Sequence, residues 1–108
     1  SDAPPAALMV PTLPAFAASK TMAWHARHAQ RDLYDLWGLA NIGAIDVAAA
    51  ELFAEQGPTG QPPHSWMFSE APDLDDWTRQ LGGQTRIAKA PAGALAAVRE
   101  AWAAVVDG

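Results

Sequence analysis

The sequence predicts an all-α fold, a small bundle of about four to six helices. Alanine-rich segments free of glycine and proline carry apolar residues at helical spacing. Most of these segments are separated from the next by glycine or proline. Half of the 108 residues are hydrophobic, which provides enough apolar side chains for the core of one domain.

Residues at the segment boundaries predict where the helices begin and end. Pro14 opens the first segment, and proline is favoured in the first turn of a helix. Gly43 ends the second segment, and Asp46 is expected to cap the third helix with its side-chain oxygen. The expected helices span residues 15–28, 31–40, 47–56, 63–68, 73–81 and 91–106.

The first 14 residues differ in composition from the rest. They contain four prolines, which prevent a regular helix, and residues 8–10 could add a short edge strand to a sheet elsewhere. Residues 1–3 could be the remnant of an expression tag. The chain is therefore expected to divide into an extended segment, 1–14, and a helical domain, 15–108.

Missing sequence features exclude several classes of protein. The chain has no cysteine, so it can form no disulfide, thiol nucleophile or cysteine-ligated zinc site. No apolar run approaches the roughly 20 residues that span a bilayer, and no secretory signal is visible. We therefore expect a cytoplasmic protein with no membrane partner.

Charge is unevenly distributed along the chain. The net charge of −5 argues against a protein that wraps a polyanion, since such proteins usually present a basic patch. A short basic cluster nevertheless lies between residues 20 and 31, and its members are Lys20, His25, Arg27, His28 and Arg31. This distribution is compatible with a small anion site on an acidic body.

Lys20 has two interpretations. It could be a solvated lysine on the polar face of a helix, as most helical lysines are. It could instead contact a phosphate, because a compact ammonium group is a good partner for triphosphate oxygens. Its neighbours Ala17, Ala18 and Ala23 are small and would not block an approaching ligand.

The block Arg31-Asp32-Leu33-Tyr34-Asp35 places two carboxylates next to an arginine. Asp32 and Asp35 are three residues apart and share a helix face, while Arg31 and Asp35 could form a surface ion pair. Carboxylates in this arrangement can cap a helix, orient a hydroxyl, bind the water shell of a divalent cation or act as a base. The residues alone leave these roles open.

The pair His25 and His28 also suggests a metal site together with Asp32, since His-x-x-His lies on one helix face. The spacing specifies no firm third ligand, however, and a helix break near Ala29 would disturb the geometry. We therefore expect no metal site in this chain.

The segment Ser65–Phe68 is rich in large apolar side chains and has two interpretations. It either fills the core of the bundle or presents an exposed anchor to a partner protein. The tryptophans outside this segment are expected to lie in the core, and they are Trp24, Trp37, Trp77 and Trp102.

The stretch around Lys20 resembles the C-terminal half of AbiEii/AbiGii-type nucleotidyltransferase toxins. In that family a lysine precedes a block of the form Arg/Lys-Asp-aromatic-Asp. Here Lys20, Arg27 and the block 31–35 occur in that order and at similar spacing. The resemblance covers about residues 12–40, and the remainder agrees only in being helical.

The resemblance implies a bacterial enzyme that transfers a nucleotidyl group from an NTP to an acceptor such as tRNA. It implies Mg²⁺ as the cofactor of the intact protein and a cognate antitoxin as its protein partner. Lys20 would hold the triphosphate with support from Arg27 and Arg31. Asp32, or less favourably Asp35, would act near the acceptor hydroxyl.

The sequence lacks the other half of that machinery. No Gly-Ser pair followed by two aspartates occurs, and the acidic residues 73–76 come after the lysine instead of before it. We therefore expect the chain to be the C-terminal domain of such a toxin, without Mg²⁺ ligands and inactive by itself. The alternative is a non-catalytic helical domain for protein–protein interaction.

Overall fold

A computed structural model describes residues 12–81 and 90–107 as five α-helices and one short 3₁₀ helix. The helices α1 to α5 span Leu13–Arg27, Gln30–Asn41, Val47–Gln56, Leu74–Leu81 and Pro91–Val106, and the 3₁₀ helix spans Ser65–Phe68. These ranges contain no β-strand, so the predicted all-α class is confirmed. The strand predicted at residues 8–10 lies outside the described part of the chain.

Side-chain caps and prolines define the helix starts. Asp46 accepts a hydrogen bond from the Ala49 amide at 2.9 Å, which confirms the predicted cap of α3. Thr12 caps α1 in the same way through the Ala15 amide at 3.3 Å, so α1 begins earlier than the predicted residue 15. Pro91 lies in the first turn of α5, where its missing N–H costs no helical hydrogen bond.

The connection between α1 and α2 contains neither glycine nor proline. His28 occupies the position after α1 where glycine is usual, and it adopts the left-handed conformation with φ 53° and ψ 38°. Its amide donates to the Trp24 carbonyl at 2.8 Å. Ala29 is extended, with φ −75° and ψ 136°. These two residues turn the chain, and α2 packs against α1.

The core combines large aromatic residues with small alanines. Trp24, Trp77 and Trp102 are each 1% exposed, whereas Trp37 is only partly buried and packs against the edge of the core. Ala17 on α1 and Ala49 on α3 are fully buried. Their small side chains let α1 and α3 approach closely, and this helix pair has the most extensive contact in the bundle.

The segment predicted as a helix over 63–68 forms a single 3₁₀ turn that is tied to two α-helices. The Trp24 Nε1 donates to the Met67 carbonyl at 2.8 Å, and the Arg99 Nη1 donates to the Phe68 carbonyl at 2.7 Å. Met67 and Phe68 are buried, while Trp66 is 59% exposed. Met67 and Phe68 therefore contribute to the core, as one of the two interpretations predicted, whereas a partner contact through the exposed Trp66 stays a prediction.

Within residues 12–81 and 90–107, no helix has both the length and the apolar character needed to cross a membrane.

Candidate functional site

Lys20 lies on the side of α1 that faces α2. Its Nζ is 2.9 Å from Asp35 Oδ2 and 3.5 Å from Asp32 Oδ1. The Lys20 side chain is 24% exposed and that of Asp35 is 35% exposed, so the pair lies on a partly open surface. The structure thus brings together the lysine and the carboxylates that the sequence singled out, although their chemical roles stay predictions.

The aromatic ring of Phe16 completes the surroundings of Lys20. The Lys20 Nζ lies 5.4 Å from the ring centroid, a cation–π distance. Phe16 precedes Lys20 by four residues, a spacing that places both on one helix face. Phe16 was not among the site residues predicted from the sequence, although this spacing could have predicted the contact.

Arg27 and Asp32 form a two-bond ion pair across the turn between α1 and α2. Arg27 Nε lies 3.0 Å from Asp32 Oδ2, and Arg27 Nη2 lies 3.3 Å from Asp32 Oδ1. Asp32 is 1% exposed, whereas Arg27 is 65% exposed. A buried carboxylate requires such partners, because burial without them would strongly disfavour its charge. The buried Asp32 carboxylate therefore forms ion pairs with two cations, Arg27 and Lys20.

The same contacts determine how the two cations titrate. The hydrogen bond from Lys20 to Asp35 raises the pKa of Lys20, and attraction by Asp35 and Asp32 adds to this against the opposing effect of burial. The hydrogen bond to Asp32 raises the pKa of Arg27. Lys20 therefore remains protonated at neutral pH, which suits an anion contact and excludes it as a general base.

Arg31 does not make the ion pair with Asp35 that their spacing allowed. Asp35 is bonded to Lys20 instead, because packing of α2 on α1 brings the lysine within hydrogen-bond distance. Arg31 is exposed, and it forms no ion pair with any residue of the described ranges. Its guanidinium is therefore available to an anion from solution.

The two histidines of the basic cluster contact different aromatic rings. The His28 ring lies 4.7 Å from that of Trp24, and the His25 ring lies 5.6 Å from that of Trp66. Asp32 is engaged by Arg27. Where the structure describes the chain, no group of three histidine, aspartate or glutamate side chains is arranged to hold a metal ion.

The fold and this cluster define a helical domain that displays a protonated lysine and a carboxylate on one open surface. A family model described as nucleotidyl transferase AbiEii toxin, type IV toxin–antitoxin system, matches residues 1–106. The chain therefore belongs to the AbiEii nucleotidyltransferase toxins, and the match extends well beyond residues 12–40. Membership in a toxin–antitoxin family implies an antitoxin as a partner. No curated protein and no solved structure matches the chain.

Proposed function

We propose that this chain provides the lysine-bearing helical part of an enzyme that transfers a nucleotidyl group from an NTP to an acceptor such as tRNA. The observation that supports this most directly is the 2.9 Å contact between Lys20 Nζ and Asp35 Oδ2 on a partly exposed surface. An ammonium group and a carboxylate at this distance can contact a phosphate and a hydroxyl that lie next to each other.

Lys20 holds the triphosphate in this proposal. Its raised pKa keeps the amine charged, and a triphosphate carries enough negative charge to compete with Asp35 for it. Arg31 is exposed on the next helix and adds a second cation. Arg27 acts indirectly, because its guanidinium is bonded to the buried Asp32.

The two aspartates differ in burial, and we propose different roles for them on that basis. Asp35 is 35% exposed and can accept a hydrogen bond from the acceptor hydroxyl, whereas Asp32 is 1% exposed and is surrounded by its cations. We therefore place Asp35 at the acceptor, where it orients the hydroxyl and accepts its proton. Asp32 positions Lys20 and Arg27. This assignment reverses the expectation from the sequence, which placed Asp32 before Asp35 as the residue near the acceptor hydroxyl.

The Asp32 and Asp35 carboxylates do not fit the Mg²⁺ that the family implies. The Asp32 and Asp35 oxygens are paired with Lys20 and Arg27, and these cations would repel a divalent ion at the same oxygens. In this proposal Mg²⁺ is held by a separate segment that carries the Gly-Ser and paired-aspartate motif. Residues 1–108 alone then catalyse no transfer.

The test measures transfer of a radiolabelled nucleotide to tRNA by the protein that joins this chain to the Mg²⁺-binding segment. Lys20→Ala is expected to slow transfer by about 10²-fold or more, the usual effect of removing one group that stabilises transition-state charge. Arg79→Ala is the matched control, since Arg79 is a surface cation on α4 whose ion-pair partner among the described residues is Asp76. Equal rates for Lys20→Ala and the parent would contradict the proposal and favour the interaction-domain alternative.

A further inference from the structure

The ion pairs of the candidate site show that α1 and α2 run antiparallel, as a helical hairpin. Lys20 pairs with Asp35, whereas Arg27, which comes later on α1, pairs with Asp32, which comes earlier on α2. Residues before Lys20 and residues after Asp35 therefore lie at the same end of the hairpin. This end carries no charged side chain, and its residues are 12–19 and 36–45. The Lys20–Asp35 pair thus lies at the boundary between a charged and an uncharged half.

Gly38 lies on the open face of the uncharged half. At about 100° per residue, Arg31, Asp35 and Gly38 lie within an arc of about 60° on α2. Gly38 is exposed, and among the described residues no side chain or neighbouring element lies within 4 Å of the position that a Cβ would occupy. A glycine inside a helix is less favourable than an alanine, so neither helix stability nor packing among the described residues accounts for it. The space over Gly38 is therefore open to a ligand, which can approach the bare backbone closely.

The two available cations lie on the other side of Asp35. Along the axis of α2, Arg31 precedes Asp35 by about 6 Å and Gly38 follows it by about 4.5 Å. The Lys20 amine bonds Asp35 and also lies 3.5 Å from Asp32, so it too is on the Arg31 side. A triphosphate held by Lys20 and Arg31 therefore extends away from Gly38.

The chemistry of nucleotidyl transfer then determines the side from which the acceptor enters. The acceptor oxygen bonds to the α-phosphorus while the bond from that phosphorus to the leaving pyrophosphate breaks, and Asp35 takes the hydroxyl proton. The attacking and leaving oxygens lie roughly in line, on opposite sides of the phosphorus. Because the cations hold the pyrophosphate part on the Arg31 side, the acceptor reaches Asp35 from the Gly38 side.

We propose that the terminal nucleoside of a tRNA acceptor lies over Gly38, and that the absence of a side chain there determines how closely it approaches Asp35. The proposal rests on the nucleotidyltransferase function proposed above. The sugar and base of a nucleoside are uncharged, as this half of the hairpin is. Ile42 follows Gly38 by about one turn and is 65% exposed, so it offers the base an apolar contact.

The test uses the protein that joins this chain to the Mg²⁺-binding segment. It measures steady-state transfer of a radiolabelled nucleotide to tRNA, and filter binding of tRNA without NTP. Gly38→Leu is expected to raise the KM and the dissociation constant for tRNA about tenfold, because its side chain fills the space over the helix and displaces the nucleoside. Gly38→Ala should change both in the same direction by a smaller factor. The KM for the NTP should stay at the parent value in both variants.

Helix stability separates this steric effect from damage to the fold. Alanine and leucine are better helix formers than glycine, so both Gly38 variants should melt at or above the temperature of the parent. Ala104→Leu is the matched control, since it adds bulk at an exposed position of α5. This control should transfer nucleotide and bind tRNA as the parent does.

Three results would overturn the proposal. The first is tRNA binding that is absent in the parent or unchanged in Gly38→Leu. The second is a raised KM for the NTP with an unchanged KM for tRNA, which would place the nucleoside of the NTP over Gly38. The third is a loss of both affinities together with a lower melting temperature, which would make this face a contact with the Mg²⁺-binding segment.

Lys20→Ala in the same assays separates this proposal from the proposed function. A parental transfer rate for Lys20→Ala would contradict the role of Lys20, whatever the Gly38 variants do. The dissociation constants for tRNA test the Gly38 contact without turnover, so the two proposals can fail independently.

Discussion

Arg27 and Asp32 form an ion pair in which one partner is exposed and the other is buried. The guanidinium is 65% exposed, the carboxylate is 1% exposed, and their bonds measure 3.0 and 3.3 Å. Arg79 and Asp76 on α4 form a second pair whose arginine is 66% exposed and whose aspartate is 46% exposed. The two arginines are equally accessible, so the pairs differ chiefly in the burial of the carboxylate.

We predict that Arg27→Ala lowers the melting temperature clearly and that Arg79→Ala does not. Removing Arg27 leaves the buried Asp32 with one paired cation among the described residues, Lys20 at 3.5 Å. The Asp76 carboxylate, in contrast, stays hydrated when Arg79 is lost. Exposed pairs such as Arg79–Asp76 usually contribute about 0–1 kcal/mol. Thermal unfolding followed by circular dichroism compares the two variants. Equal melting temperatures would mean that Arg27 does not compensate the Asp32 charge.

The raised pKa of Lys20 predicts a loss of stability at alkaline pH. A group whose pKa is higher in the folded state than its ordinary 10.5 stabilises the fold below that value, and the gain disappears as pH rises through the folded-state pKa. The pair with Asp35 is partly exposed, so we expect a contribution of about 0.5–1 kcal/mol. In urea unfolding at pH 7–9, the free energy of unfolding of the parent should exceed that of Lys20→Gln by this amount. The difference should shrink beyond pH 10.5. A difference that stays constant at higher pH would contradict the assignment to Lys20.

Two buried tryptophans allow a matched test of one hydrogen bond. Trp24 and Trp102 are both 1% exposed, but only Trp24 donates its indole N–H, to the Met67 carbonyl at 2.8 Å. Trp24→Phe should therefore cost about 1–3 kcal/mol more than Trp102→Phe in the free energy of unfolding, since it leaves the Met67 carbonyl without its partner. Urea unfolding of the two variants measures the difference. A larger loss for Trp102→Phe would show that packing, not this bond, dominates.

The helix boundaries follow from local chemistry, and the sequence predicts them well. Asp46 caps α3 through its own carboxylate, and Pro91 begins α5, so the predicted bounds of these helices equal the observed ones. The left-handed conformation of His28 has a weaker signal, because histidine adopts positive φ far less readily than glycine does. The short 3₁₀ geometry of residues 65–68 likewise depends on bonds from Trp24 and Arg99, which are distant in sequence.

The candidate site is only partly predictable, because its geometry also depends on packing between different helices. The helix period indicates that Asp32 and Asp35 share a face, but it does not show which of them is buried. That difference arises from the packing of α2 on α1, which covers Asp32 and leaves Asp35 bonded to Lys20 instead of Arg31. A surface cavity beside Trp66 is lined by residues 63–66 and by residues between 99 and 107, and no local pattern predicts a contact between segments so distant in sequence.

Different burial of the two aspartates predicts different effects of the same substitution. Asp35→Asn removes a partly exposed carboxylate, so it should leave the melting temperature near that of the parent and, in the proposed role, slow nucleotide transfer by about 10²–10⁴-fold. Asp32→Asn removes the charge that both cations share, and should lower the free energy of unfolding by about 1–3 kcal/mol as well as activity.

Melting curves and transfer assays on both variants separate these outcomes, with Asp76→Asn as the surface control. Asparagine keeps the size of aspartate, so a change reflects the charge and its hydrogen bonds. If Asp35→Asn transfers nucleotide at the parent rate while Asp32→Asn is folded and inactive, the acceptor is contacted through Asp32, and our assignment of Asp35 is wrong. Loss of activity in Asp35→Asn with an intact melting curve would place the acceptor hydroxyl at the open side of the Lys20–Asp35 pair.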